Sequence, residues 1–170
     1  LPGATVEDRR NLAATLAELG GVLAVVVGDL EGARAHTSRA IEILEAVLGE
    51  NAGDTRARAM LAYAYERAAA VIEVAGKDEE LPQAVALLEK SIAATEAAIR
   101  DEPANASHAQ TLVKRYNNAS RMMLKAGNVE GAREVVARAL ALDPNLARAQ
   151  YFLGRVQKAE GKLEESAATF

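Results

Sequence analysis

A chain of 170 residues fits one ordinary domain, and with half of those residues hydrophobic it can form a continuous core. Charged residues of both signs make up 26% with a net charge of −4, which excludes the low-hydropathy, high-charge signature of disorder, and the acidic balance excludes the basic surface that general nucleic-acid binding requires. The absence of cysteine excludes disulfides, thiolate metal sites and cysteine nucleophiles.

Thr5 and Asp8 form a capping pair at the start of a helix over 5–27. The apolar run at 22–27 within it is far short of the roughly 20 residues of a span, so no membrane insertion is expected. Gly28-Asp29 ends this helix and caps a second over 29–49, which stops near Gly49. Gly53-Asp54 opens a third over 54–76. Gly76 and a short acidic insert precede a fourth over 79–101, with Pro82 in its first turn and Pro103 after its end. A fifth and sixth follow over 105–126 and 128–142. Asp143-Pro144-Asn145 starts a seventh, to about 160, and a short last helix from Lys162 is cut off at Phe170. Connections are short, so neighbours are expected to be antiparallel. No strand-like alternation of useful length occurs. The chain opens on Leu1 rather than Met, and it is expected to be a piece of a longer protein.

Four turns share one pattern of glycine, apolar, polar and small residues: Gly28-Asp29-Leu30-Glu31-Gly32-Ala33, Gly127-Asn128-Val129-Glu130-Gly131-Ala132, Gly161-Lys162-Leu163-Glu164-Glu165-Ser166, and the looser Gly76 with Leu81-Pro82-Gln83-Ala84. Glycine takes the left-handed conformation that ends one helix, and Asp or Asn caps the next. The small residue opens the second helix of a pair where it must press on the first. These small residues stand at 33, 84, 132 and 166, so the spacings are 51, 48 and 34. The last equals the tetratricopeptide period, and the first two are longer by about four helical turns.

The chain therefore resembles the tetratricopeptide repeat family. The stretch 137–145, with its terminal Asp143-Pro144-Asn145, is similar to the end of that family's second helix. Leu19-Gly20 and Leu153-Gly154 resemble the Leu-Gly of its first helix, and Tyr65 and Tyr116 resemble its aromatic there. Ala68-Ala69 and Ala119-Ser120 replace Leu-Gly in the middle repeats but keep small residues at the packing site. The resemblance implies an all-α, right-handed superhelical solenoid forming a single domain, 1–170. It would hold about seven helices and a truncated last one, in pairs roughly at 5–49, 54–101, 105–142 and 145–170. The long period, the segment 101–106, the Tyr-bearing helix after it and the opening Leu1-Pro2-Gly3-Ala4-Thr5 also resemble repeats C-terminal to bacterial eukaryote-like Ser/Thr kinases.

No catalytic constellation emerges, so an enzyme is not expected. His36 and His108 lack a second ligand at helical spacing, so no metal and no cofactor are expected. There is no Gly-rich phosphate loop and no kinase signature motif. Glu79-Glu80 and Glu164-Glu165 read as solvated, and Met122-Met123 as one core and one surface residue.

Charge is the informative feature. Summed over the pairs, first helices are basic and second helices acidic. The fifth helix carries no acid at all. Lys114, Asn117, Asn118, Arg121 and Lys125 recur every three or four residues, hence on one stripe, and Arg148, Tyr151, Arg155 and Lys158 do the same on the seventh. The resemblance implies that these positions face a groove that holds an extended peptide. Arginine suits carboxylates because its planar fork donates two parallel hydrogen bonds. Eight residues are thus the expected partner-binding set: Lys114, Asn117, Asn118, Arg121, Lys125, Arg148, Tyr151 and Arg155. The expected function is a scaffold for a protein or peptide partner with acidic segments. The chaperone-binding carboxylate clamp is not reproduced, since the first helix offers no matching Lys and Asn. The alternative is a structural, oligomerising or sensory tail of a signalling protein, with Tyr151, Leu163 and Phe170 covering the end of the array, in a homodimer or against more of the chain. A cytoplasmic location is expected, or an extracytoplasmic one for a membrane-kinase tail.

Overall fold

A computed structural model describes residues 3–169. The ends of the chain, including Leu1, Pro2 and the expected covering residue Phe170, lie outside the described residues. Eight α-helices and no strand occur among the described residues: α1 (Val6–Val22), α2 (Leu30–Glu50), α3 (Thr55–Ala75), α4 (Leu81–Asp101), α5 (Ala106–Lys125), α6 (Val129–Leu142), α7 (Ala147–Ala159) and α8 (Leu163–Thr169). A π-helical turn, Leu23–Val27, extends α1, and a 3₁₀ turn, Asp78–Glu80, precedes α4. The all-α class expected from the sequence is the class observed among the described residues.

The helix ends follow local chemistry. Asp8 N donates to Thr5 Oγ1 at 3.1 Å while Thr5 N donates to Asp8 Oδ2 at 2.9 Å, a reciprocal capping box. Asp29, Asp54 and Asn128 each accept a backbone N–H at the starts of α2, α3 and α6. Gly28, Gly76, Gly127 and Gly161 all have positive φ, near 70–80°, which the turns between paired helices require. α7 begins two residues later than expected. The Asp143 carboxylate holds Asn145 N at 2.8 Å in a local turn, and helical winding starts only after it.

The chain forms two compact units, residues 1–109 and 110–170. In the first, α1 packs on α2 and α3, α2 on α3, and α3 on α4. Its core combines Ala13 and Ala17 of α1 with Ala40, Leu44 and Val47 of α2 and Leu61 and Tyr65 of α3. Each large aliphatic side chain so buried contributes about 1.5–3 kcal/mol. The small residues opening the second helices are buried as the repeat logic requires: Ala33, Ala84 and Ala132 at 0% and Ser166 at 5% exposure. Gly20 shows why. A Cβ there would meet Thr37 Cγ2 at 2.6 Å and the Ala33 carbonyl at 2.9 Å, so only glycine allows this approach of α1 to α2. In the next pair Ser91 Oγ donates to the buried Ala62 carbonyl at 2.6 Å.

Arginines clasp the open ends of these pairs. Arg9, fourth residue of α1, donates to both oxygens of Glu50, the last residue of α2, at 2.6 Å. Arg58, fourth residue of α3, is paired with Asp101, the last residue of α4.

In the second unit α6 packs on α7 and α7 on α8, and Ser166 Oγ donates to the Gly154 carbonyl at 2.9 Å. The Arg138 guanidinium of α6 lies 5.2 Å over the Tyr116 ring of α5. Met122 and Met123 are both buried, correcting the expected split. The apolar face of α5 is wider than the 100° between successive residues, so it takes in both.

Candidate functional site

α5 runs from 106 to 125 and spends its apolar positions, Leu112, Tyr116, Ala119, Met122 and Met123, on the core. Its remaining arc carries the predicted stripe. Lys114 and Lys125 are exposed, and Asn117, Asn118 and Arg121 are half-buried. α7 buries Ala149, Phe152, Gly154 and Val156, which leaves Arg148, Tyr151, Arg155 and Lys158 exposed. All eight predicted residues therefore fall within one compact unit, in two stripes, each on its own helix. Tyr151 is 48% exposed and meets Phe152 edge-on, with ring centroids 5.3 Å apart. That contact braces an aromatic face that solvent still reaches.

The two units differ in sign. Residues 1–109 hold 10 Lys and Arg against 18 Asp and Glu, a net charge of −8. Residues 110–170 hold 10 against 6, a net charge of +4. The division by unit is sharper than the division between first and second helices.

Solved structures similar to this chain include one of MamA. That comparison gives 16% identity and a TM-score of 0.38 over 85% of this chain and 90% of the other. A second MamA structure gives the same identity and TM-score over 94% and 89%, and a MamA RS-1 ArsTM double mutant gives 17% and 0.37 over 98% and 93%. No family model matches the chain, and no curated protein matches it.

Other polar groups are committed to structure. Glu80 is not solvated as expected: it pairs with Arg34 of α2, which holds its carboxyl below the usual carboxylate range. Glu79, Glu164 and Glu165 are exposed. His108 is half-buried and sits 3.3 Å from Glu102 and 3.1 Å from Asn105 at the start of α5. No group of three or more metal-binding side chains occurs among the described residues. On the first unit, Tyr63 Oη donates to Glu18 at 2.6 Å, joining α3 to α1. The Arg67 guanidinium stands 5.1 Å over the Tyr63 ring. Burial, and then this hydrogen bond, push the Tyr63 phenol up to about 12.

One surface lies outside the expectations drawn from the sequence. The continuous helix Val6–Val27 has 22 residues and an eighteen-residue window of mean hydropathy 1.5, so by length and composition it is apolar enough to cross a membrane. Counting unbroken apolar runs hides this, because Ala, Gly and Thr separate the leucines and valines. Only 22% of that window is buried. Its C-terminal end exposes Val22 (48%), Val25 (72%), Val26 (76%) and Val27 (64%), joined by Val74 (46%) at the corresponding end of α3. The signal was the string Val25-Val26-Val27 before Gly28.

The π turn carries the three most exposed of these valines, Val25, Val26 and Val27. α3 runs 21 residues from its cap to Gly76, whereas Val6–Val27 runs 22 to Gly28. The close-packing residues Gly20 and Ala69 are both fifteenth in their helices, so the additional residue lies beyond Gly20. The hydrogen bonds agree. At Gly127 the next amide, Asn128 N, reaches back five residues to Met123, while Asp29 N reaches back six, to Leu23. π turns of this kind often mark functional positions.

Proposed function

We propose that this chain is a non-catalytic helical-repeat scaffold that takes a protein partner with acidic segments on the basic faces of α5 and α7. What carries this reading is the exposed set Lys114, Lys125, Arg148, Tyr151 and Arg155 on a unit of net charge +4 in a protein of net charge −4. Long exposed arginines can close as forks on carboxylates, and Tyr151 supplies a flat contact with a polar tip. A concentrated field of one sign speeds encounter with an oppositely charged segment and rejects like-charged ones. Asn117, Asn118 and Arg121, on the half-buried side of the same stripe, would register the bound backbone.

The test is binding of a labelled oligoglutamate peptide with a free C-terminal carboxylate, followed by fluorescence anisotropy. Wild-type affinity should fall as salt rises from about 50 to about 200 mM, because the charges are exposed and screened. Arg148→Glu with Arg155→Glu should weaken binding at least about tenfold and flatten the salt dependence. Equal affinity in the two proteins would sink the assignment.

A further inference from the structure

We propose that the valine-rich end of residues 1–109 docks on the basic face of α5 and α7 of a second copy, so that the chain self-associates head to tail. The inference rests on the reading of that basic face as a binding surface and names its occupant.

Contiguous exposed apolar patches of more than a few hundred Å² are rare on monomers and mark interaction sites. Val22, Val25, Val26, Val27 and Val74 are all exposed where the first helices of the first two pairs end. Leu23, beside Ala24 and Val71 in one small core, ties the two helix ends together there. Exposed acids surround it. Asp29 and Glu31 follow the Gly28 turn, and Asp78 and Glu79 follow the Gly76 turn, with Lys77 among them. The Arg34–Glu80 pair joins the two turns, so all four acids rim the same end.

An acidic rim decides between occupants. Anionic lipid headgroups would be repelled by it, although the helix behind the patch is apolar. A symmetric contact, patch on patch, would bring two units of net charge −8 face to face. The complement required is cationic with an exposed apolar or aromatic centre. The chain's own second unit has that character, with net charge +4 and Tyr151 exposed among Arg148, Arg155 and Lys158. Because the two surfaces differ, the contact is heterologous, and it propagates into rings or open chains.

The experiment is sedimentation velocity on the full chain over a concentration series, with Asp78→Lys/Glu79→Lys and Arg148→Glu/Arg155→Glu variants. All four positions are exposed, and thermal melts establish that each variant folds. Wild type should form species larger than dimers that dissociate in high salt. Each double variant alone should associate at least about tenfold more weakly. Mixed together, the two variants offer one native pair of surfaces and one charge-reversed but again complementary pair, so the mixture should recover association that neither variant shows alone. A monomeric wild type at high concentration overturns the proposal. So does an association that the charge variants leave intact but Val25→Ser/Val26→Ser abolishes, or a monomer that floats with phosphatidylcholine vesicles. A monomeric wild type that still binds oligoglutamate through Arg148 and Arg155 would remove self-association alone. Head-to-tail growth without oligoglutamate binding would remove only the acidic-partner reading.

Discussion

Arg10 and Asp54 stand 44 positions apart, and Nη1 of Arg10 donates to both Asp54 carboxylate oxygens, at 3.0 and 2.8 Å. The same carboxylate caps α3, with Oδ1 accepting from Ala57 N at 2.9 Å. Asp54 is 8% exposed, so one buried group both starts a helix and ties it to α1. Asp54→Asn keeps a capping oxygen and loses the charge pair, and should cost about 1 kcal/mol. Asp54→Ala removes the cap as well and leaves Arg10 half-buried without its partner, so it should cost about 2–4 kcal/mol. Urea midpoints at constant slope would measure both. Equal losses in the two variants would show that the ion pair, and not the cap, dominates.

Gly20→Ala places a methyl 2.6 Å from Thr37 Cγ2 and 2.9 Å from the Ala33 carbonyl. Overpacking of this kind costs about 1–3 kcal/mol, which outweighs the helix-propensity gain of up to about 1 kcal/mol. Thr37→Ser removes the methyl in the way but leaves the carbonyl, so it should restore part of the loss in a double-mutant cycle. A coupling of zero would show that α1 moves away as a whole.

Acid should weaken the first unit through its clasps. Arg9 holds the Glu50 carboxyl below its ordinary value of 4.5, and Arg34, more than Lys77, does the same for Glu80. A depressed folded pKa means stability that is fully present above that ordinary value and lost as pH falls through the folded value. Melting temperatures should therefore drop below about pH 4.5, and Glu50→Gln/Glu80→Gln should melt lower at neutral pH with a shallower acid limb. Parallel acid limbs would contradict the clasp.

At the other extreme Tyr63 and Tyr65 hold their protons longer than free tyrosine, because both are shielded from water and donate to glutamates, Tyr65 to Glu45 at 2.7 Å. A raised folded pKa gives stability that is intact below the ordinary value of 10 and lost as pH climbs toward about 12. Tyr63→Phe should flatten that alkaline limb while lowering stability at neutral pH by about 1 kcal/mol for the lost hydrogen bond. Spectrophotometric titration of the phenols would check the order of events.

Much of this fold was written in short range. Glycine marks every turn between paired helices, joined directly by Asp or Asn at Gly28 and Gly127, and the small residues at 33, 84, 132 and 166 identify the close contacts, because left-handed backbone and helix packing each admit few residue types. Both basic stripes were legible, since helical spacing alone puts 114, 117, 118, 121 and 125 on one side. What escaped depends on partners far along the chain. Glu50 and Asp54 lie 41 and 44 residues from their arginines, and no local pattern announces that pairing. Glu80 looked like one more surface acid until Arg34 was brought beside it. The valine cluster escaped because three of its members, Val25, Val26 and Val27, sit in a π turn that composition does not record.

The clasps also act as a gauge of helix length. Arg9 and Arg58 each grip the final residue of the companion helix, which fixes the open end of a pair, while Gly28 and Gly76 fix the closed end. Between fixed ends a helix can change length freely only by whole turns, because one surplus residue rotates everything after it by about 100°. α2, α3 and α4 all have 21 residues, and the chain from Val6 to Val27 has 22. The π turn is where that surplus is stored without loosening either end. Lineages of such repeats should therefore vary in matched steps on both arms of a hairpin, and an unmatched insertion should leave a bulge with outward-turned side chains, which is a simple way for a scaffold to gain a new sticky surface without losing an old contact.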